Sequence, residues 1–491
     1  MRVAIVGGGV AGMAAAYELA KARAEDPSVE YTLFESRDRL GGSIASQIVD
    51  GSVLECGPDS FLTEKPAAAE LCRELGLGQD LLPSNDAARK TFIVIKNRLV
   101  ALPDGLMFLV PTKLVPTALS PLFSLGTKIR MGLELLHPPR PSTEDESVAD
   151  MVRRHFGQQA VDRLADPLLS GIYGGDASQL SARTVLPKLV EMEAEYGSLT
   201  RGMLAAHKKM KAAMAARAAS PSFAVGSKPP APRGIFTTLR GGLQQIIDAI
   251  GARLDGRFVR LNTSVRAIQR ADDGWQVTSF SDVAGRTENY DAVIMASPAW
   301  TAGSLLSTVD AELGQDLQGI PYSSSITMNL VFDEAQIGEL PEGFGFLVPA
   351  SSGRALLACT FAHRKFVGRT APGKAALRAF LGGVNQEALI DEPDKVLIAT
   401  VRRELSEILG AGVLGPHIEP EHVQVNRWRR AMAQYAVGHQ ERMKRINEHV
   451  AALPGLALAG NAYDGIGIPD CIRLGRAAAK RMIAARVPSH A

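Results

Sequence analysis

The opening residues alternate in pattern as strand, turn, helix and strand. Val3 to Val6 is an unbroken apolar run, as expected of a strand buried on both faces. Val10 to Arg23 is rich in Ala, Leu and Met and predicts a helix. Tyr31 to Phe34 predicts a second strand, so the chain opens as a β-α-β unit of a parallel sheet. Between 106 and 225 Leu, Met and Ala recur without β-branched alternation, which predicts helices. Ser147-Val148-Ala149-Asp150 reads as a capping box, with Val148, Met151 and Val152 starting an apolar stripe. Residues 211–232 are rich in Ala, Ser and Pro and end in Lys228-Pro229-Pro230-Ala231-Pro232, and their later part predicts a flexible loop. Strand signals return at Phe258–Leu261, Gly274–Val277 and Ala292–Met295. Residues 320–450 alternate between α and β patterns, and the last stretch is strand, glycine turn and helix. The expected fold class is α/β, with one dinucleotide-type domain built from both ends of the chain.

Composition narrows the class without naming an activity. A chain of 491 residues suggests about three domains. Apolar residues at 46% and charged residues at 22% are ordinary for a globular protein and exclude a mainly disordered or collagen-like one. A net charge of +2 offers no general field for nucleic acid. Cys56, Cys72, Cys359 and Cys471 are far apart, with no C-x-x-C pair, so neither a disulfide framework nor a metal site is expected and a reducing cytoplasm fits. The most apolar stretch, Gly105 to Gly126, is broken by Pro111, Lys113, Pro116 and Pro121, so no spanning segment is expected, though peripheral membrane contact stays open.

Gly7, Gly9 and Gly12 match G-x-G-x-x-G between a strand and a helix. Gly7 permits the tight turn, Gly9 lets a pyrophosphate approach, and Gly12 lets helix and strand pack closely. Val10 and Ala11 open the helix, whose N-terminal amides and dipole face the phosphates. By itself the pattern also suits a glycine turn without ligand. Glu35 ends the second strand at the place of a ribose-binding acid and would repel a 2′-phosphate.

Ser36 to Ser43, reading S-R-D-R-L-G-G-S, resembles the second fingerprint of the flavin-dependent amine oxidase superfamily. Leu458-Ala459-Gly460-Asn461 and Tyr463 to Asp470, ahead of an Ala-rich helix, resemble its C-terminal fingerprint. Four further stretches are similar to the oxygen-dependent coproporphyrinogen and protoporphyrinogen oxidases: Gly57 to Leu62, Asp166 to Asp176, Phe236 to Gln244, and Gln434 to His439. The likeness covers nearly the whole chain in order. G-I-Y-x-G-D and G-x-G-I-P-D-C resemble the bacterial coproporphyrinogen III branch most. Thr91 stands where the protoporphyrinogen branch tends to carry an arginine, and Lys65 resembles the active-site lysine of the coproporphyrinogen branch.

The resemblance implies an FAD-binding Rossmann-like domain from residues 1–84, 226–300 and 455–491, a mixed-sheet substrate domain from 85–105 and 301–454, and an inserted helical domain at 106–225. It implies FAD contacts at Gly7, Gly9, Val10, Ala11, Gly12, Glu35, Ser36, Arg39, Gly41, Gly42, Ser43, Gly57, Pro58, Asp59, Ser60, Val265, Trp428, Gly460, Asn461, Gly467 and Ile468. Arg39 would neutralise phosphate charge. Lys65 and Ile172 are the implied catalytic-site residues, and no metal is expected.

The implied reaction removes six electrons from a porphyrinogen in three flavin cycles, with O₂ reduced to H₂O₂ each time. The propionates need cations, and Lys65, Arg89, Lys90, Arg98 and Lys365 are candidates. Leu168, Ile172, Phe346 and Leu347 could form apolar walls, or ordinary core. His363 and His439 are weak candidates for proton handling. An amine oxidase, a carotenoid desaturase and a non-catalytic flavin- or haem-binding protein remain competing readings. A homodimer and contact with a ferrochelatase are left open.

Overall fold

A computed structural model describes residues 1–107, 109–140, 144–218, 234–281 and 284–485. Its central sheet has five strands in the order Val259–Arg260, Glu30–Phe34, Arg2–Val6, Ala292–Met295 and Leu456–Leu458. All neighbours are parallel. Alternate residues feed two cores. Val3, Ile5, Leu33 and Ile294 join the side covered by helices Val10–Glu25 and Ile468–Ala485. Ala4, Val6, Phe34, Val293 and Met295 join the other, with Trp275 at its centre. The two helices touch closely, because a Cβ at Gly475 would collide with the Ala11 carbonyl.

A seven-stranded mixed sheet stands beside it. Its order is His422–Ala433, Tyr322–Asp333, Lys374–Gly382, Leu356–Phe361, Gly345–Leu347, Thr91–Ile95 and Arg98–Ala101. The long strand Tyr322–Asp333 alternates in chemistry. Ile326, Met328, Leu330 and Phe332 pack in an apolar core with Leu397, Val401 and Leu405 of helix Asp394–Leu409. Thr327 and Asn329, one residue out of phase, lie on the opposite face and are also buried. Residues on both faces are therefore inaccessible, yet only one face is apolar.

The chain between these sheets forms a helical unit around Val148, Met151, Val152, Phe156, Leu164 and Leu169. Ser147 caps helix Val148–Phe156 by accepting from the Asp150 amide at 3.1 Å, as the sequence indicates. Two expectations change. The helical stretch begins with an antiparallel ribbon, Leu106–Met107 against Val110–Pro111, because Gly105 at φ +80° turns the chain first. Phe258–Leu261 is not one strand: Asp255 caps a 3₁₀ turn Gly256–Phe258, and only Val259–Arg260 is paired. Helix Leu199–Ala218 lies within the stretch read as helical, where Ala, Lys and Met favour helix strongly. The proline-rich remainder lies outside the described residues. Among the described residues no helix is long and apolar enough to cross a membrane.

A buried ionic network fixes the helical unit. Glu134 accepts from Ser198 Oγ at 2.8 Å and from the Leu199 amide at 2.6 Å, so it caps helix Leu199–Ala218. His155 lies wholly buried between Glu134, at 3.0 Å, and Glu193, at 3.2 Å. Arg154 also pairs with Glu193 and with Glu146. Burial disfavours the charge on His155, but the two carboxylates outweigh it and raise its pKa. The stabilisation from His155 is therefore complete below its unfolded value, about 6.5, and is lost as pH rises through the raised folded value. Thermal unfolding across roughly pH 6 to 9 should show this loss in the native chain and a flatter profile in His155→Gln. His155→Ala should cost about 3 kcal/mol, because it leaves buried carboxylates uncompensated.

Candidate functional site

The glycine loop follows strand Arg2–Val6, and each glycine has its own steric reason. Gly7 has φ +115°, and a Cβ there would sit 2.7 Å from the Ala296 carbonyl oxygen. A Cβ at Gly12 would strike the Gly7 carbonyl. Around Gly9 there is open space, with nothing within 4 Å of where a Cβ would be. Gly9 is also the N-cap of helix Val10–Glu25, with no side-chain cap and no acidic residue in the first turn. The amides at this helix end thus point into clear space, which fits an anionic pyrophosphate.

Glu35 is buried beside this loop. Its carboxylate accepts from the Gly8 amide at 2.8 Å and from the Arg37 amide at 2.9 Å, and Ser36 Oγ lies at 3.3 Å. Gly41 donates to the Gly8 carbonyl at 2.8 Å, with Gly41 at φ +103° and Gly42 at φ +60°. Arg39 turns its donors onto its own loop, reaching Leu40 O at 3.2 Å, Ile44 O at 3.0 Å and Gly42 O at 2.6 Å. It braces the glycine turn in this structure.

The C-terminal fingerprint closes the same region. Gly460 has φ +150° just after strand Leu456–Leu458, and Asn461 Nδ2 donates to Ala431 O at 2.9 Å. Tyr435 OH donates to Asn461 O at 2.9 Å and accepts from the Gly465 amide at 2.8 Å. Helix Ile468–Ala485 starts inside the motif that was expected to precede it, so Asp470 lies in its first turn and accepts from the Gly467 amide at 3.3 Å. Ser297 Oγ, beside Gly7, and Tyr463 OH, beside Gly460, are buried without hydrogen-bond partners among the described residues. They are further polar groups suited to a nucleotide ligand.

Gly57 to Ser60 lies between the two sheets. A Cβ at Gly57 would collide with the Ser43 carbonyl and would lie 3.5 Å from the Trp428 ring. Trp428 Nε1 donates to Cys56 O at 2.8 Å. Val265 lies at an irregularity of strand Thr263–Ala271, where pairing with Gly274–Ser281 shifts register. The three fingerprints and Gly57–Ser60 come together, and Val265, on a separate three-stranded sheet, packs against the core that holds Val6 and Phe34, two residues past Thr263, whose amide donates to Glu35 O at 2.8 Å.

Lys65 stands at the N-cap position of helix Pro66–Glu74, 42% exposed, with its Nζ 2.6 Å from Asp470 Oδ2. Ile172 is 47% exposed near the end of helix Asp166–Tyr173. The next residue, Tyr173, has its ring 6.5 Å from that of Tyr435, and burial together with the Asp470 charge pushes its hydroxyl up to about 12. Lys65, Asp470, Tyr173 and Tyr435 thus converge beside the C-terminal fingerprint.

Other candidates separate. Lys365 is not a free cation: it is buried and paired with Asp59 at 3.0 Å and bonded to Ser60 at 3.2 Å. Burial alone would raise the Asp59 pKa, but Lys365 and Arg378 hold it well below the usual carboxylate range. Phe346 is core of the seven-stranded sheet, whereas Leu168 and Leu347 pack against the helical unit. Arg89 and Lys90 are exposed, and Arg98 starts the edge strand farthest from Trp428. His439 stacks on Tyr435 at 4.4 Å and burial lowers its pKa to about 4; burial lowers that of His363 as well. Both are neutral near pH 7. Cys471 is a buried thiol pushed up to about 12 by that burial.

Sequence reading missed Asp470, Thr327, Asn329, Arg369 and Arg378. A faint signal existed in the period-2 polar positions Ser323, Ser325, Thr327 and Asn329, on a strand too buried to place them in water. Gly12→Ala should cut the flavin retained on purification at least tenfold, read as the ratio of flavin to protein absorbance, because the new methyl displaces Gly7.

The family model for flavin containing amine oxidoreductases matches residues 10–483. Coproporphyrinogen III oxidase of Bacillus subtilis is 33% identical over 97% of this chain and 96% of its own length. Chloroplastic protoporphyrinogen oxidase 1 of Arabidopsis thaliana is 28% identical over 95% of this chain and 85% of its own. The crystal structure of a protoporphyrinogen oxidase candidate from Exiguobacterium sp. 255-15 matches with TM-score 0.83 and 31% identity over 99% of both chains. With a match this complete, and a glycine loop, a second fingerprint and a C-terminal turn gathered around one open helix end, the chain belongs to the flavin containing amine oxidoreductase family and is an FAD-dependent oxidase.

Proposed function

We propose that this chain oxidises a porphyrinogen to the porphyrin in haem biosynthesis, with coproporphyrinogen III as the preferred substrate and O₂ as the oxidant. The observation that carries the reading is 31–33% identity to coproporphyrinogen III oxidases over 97–98% of this chain. Lys65 beside the C-terminal fingerprint supports it from the structure. Bound FAD would accept the electrons and return them to O₂.

The chain's own residues bind and orient. Gly9 and the amides after it hold the pyrophosphate, and Glu35 holds the ribose. Lys65 is half-exposed and can turn one ammonium proton to a propionate while Asp470 fixes another. Ile172 and Tyr173 offer an apolar edge near that cation. With His363 and His439 neutral and buried, neither supplies a charged acid near pH 7. Burial also makes each a weaker base than a free imidazole, so pyrrole protons leave to solvent rather than to a dedicated histidine.

Protoporphyrinogen IX is the second reading, favoured by the similarity to the Arabidopsis protein. Val115, Leu119, Leu125, Ile129, Leu133 and Leu136 are exposed on neighbouring helices of the helical unit, which suits peripheral contact with a membrane surface.

The test is turnover of freshly reduced coproporphyrinogen III and protoporphyrinogen IX in air, followed by porphyrin fluorescence and H₂O₂. We expect a higher kcat/KM for coproporphyrinogen III. Lys65→Ala should raise its KM about tenfold with little change in kcat, as expected from losing one hydrogen bond to a charged group. Faster turnover of protoporphyrinogen IX would reverse the order of the two readings, and no turnover of either by flavin-loaded protein would sink both.

A further inference from the structure

The polar face of the seven-stranded sheet closes on one backbone segment. Asn329 Nδ2 donates to Glu55 O at 2.9 Å. Thr327 Oγ1 and Trp428 Nε1 both donate to Cys56 O. Arg378 Nη2 donates to Gly57 O. Three adjacent strands thus supply four donors to three successive carbonyls. Thr238 Oγ1 holds the next part of the turn through Asp59 O at 2.8 Å.

The charges here do not cancel. Lys365 pairs with Asp59, and Arg369 pairs with Glu55. Arg378 is 3% exposed, lies over the Phe380 ring at 5.0 Å, and forms no ion pair of its own among the described residues; its charge reaches Asp59 and Glu55, but Lys365, Arg369 and Arg378 together outnumber those two carboxylates. Its Nε and Nη1 are buried without hydrogen-bond partners. A buried, unpaired guanidinium is costly, so hydrogen bonding to one carbonyl is a poor reason for it by itself. A neutral donor, Thr327, meets the same need one residue away at Cys56 O.

What Arg378 grips is continuous with the nucleotide cradle. Gly9 pairs with Gly41, Gly42 packs on Gly9, and Gly57 packs on the Ser43 carbonyl. A fixed cation one hydrogen bond behind the Gly57–Ser60 turn favours any neighbouring group that gains negative charge. We propose that Arg378 is a positioning residue for the flavin: it sets the Gly57 carbonyl and lends the turn an unpaired positive charge that raises the reduction potential of bound FAD. This rests on Gly57–Ser60 meeting the flavin, and not on which porphyrinogen is oxidised.

The test is a dye-coupled redox titration of the flavin band in holoenzyme. Arg378→Met removes the charge. Asn329→Asp, cross-strand from Arg378 on the same face, pairs it instead. Both should shift the two-electron equilibrium at least tenfold against reduction, a fall of about 30 mV. Arg378→Lys should restore the native potential, because it keeps charge while losing the planar grip. Thr327→Val, which removes a donor without changing charge, should leave the potential unchanged. The inference is overturned if Arg378→Met and Asn329→Asp keep the native potential, or if Thr327→Val lowers it equally. Should Arg378→Met fail to fold, Asn329→Asp carries the charge test. Porphyrinogen turnover by the native chain is recorded in parallel. Its absence counts against the substrate reading alone, whereas native turnover with unmoved potentials counts against Arg378 alone.

Discussion

The carbonyls of Glu55, Cys56 and Gly57 fix how the two sheets stand against each other. They are main-chain groups and have no side-chain freedom to absorb a misfit. Asn329, Thr327, Trp428 and Arg378 must reach them from three strands at once. Leaving one such buried donor unmade costs about 1–3 kcal/mol, more for a charged one. The joint is therefore stiff for a stronger reason than its bond count. On its other side the same segment is wedged against Ser43, so neither layer can slide without breaking contact with the other.

The strand Tyr322–Asp333 makes this possible by dividing its work. Ile326, Met328, Leu330 and Phe332 bury apolar surface against helix Asp394–Leu409 and hold the sheet together. Thr327 and Asn329 face the joint. A one-residue slip would exchange the two sets and strand polar groups in the apolar core, so the alternation also fixes register.

Much of the nucleotide cradle was legible because its constraints are local. Gly7, Gly9 and Gly12 each answer to geometry within a strand, a turn and a helix, which a short spacing can encode. The Ser147 cap was readable for the same reason. The joint was not readable in that way. Thr327 and Arg378 bind backbone atoms hundreds of residues distant, and a carbonyl has no residue type to search for. Lys365 was misjudged because a lysine's pattern does not reveal that Asp59 will meet it inside. Lys65 was noticed by resemblance, but its partner Asp470 depended on a helix that starts earlier than the motif suggests. The helix Leu199–Ala218 was legible because helix propensity is a local property of its Ala, Lys and Met residues.

The parallel sheet also has a consequence for the order of events during synthesis. Arg2–Val6 leaves the ribosome long before Ala292–Met295 and Leu456–Leu458, which complete its sheet. The helix that lies on Val10–Glu25 comes last, with Gly475 seated on Ala11. At ordinary translation rates of about 5–20 residues per second, the glycine loop waits on the order of tens of seconds for these partners. During that time its apolar strand must be shielded by chaperones or by provisional contacts. The nucleotide cradle therefore has all three fingerprints in place only after Ile468–Ala485 has been made, so FAD meets its full set of contacts late in the chain's synthesis.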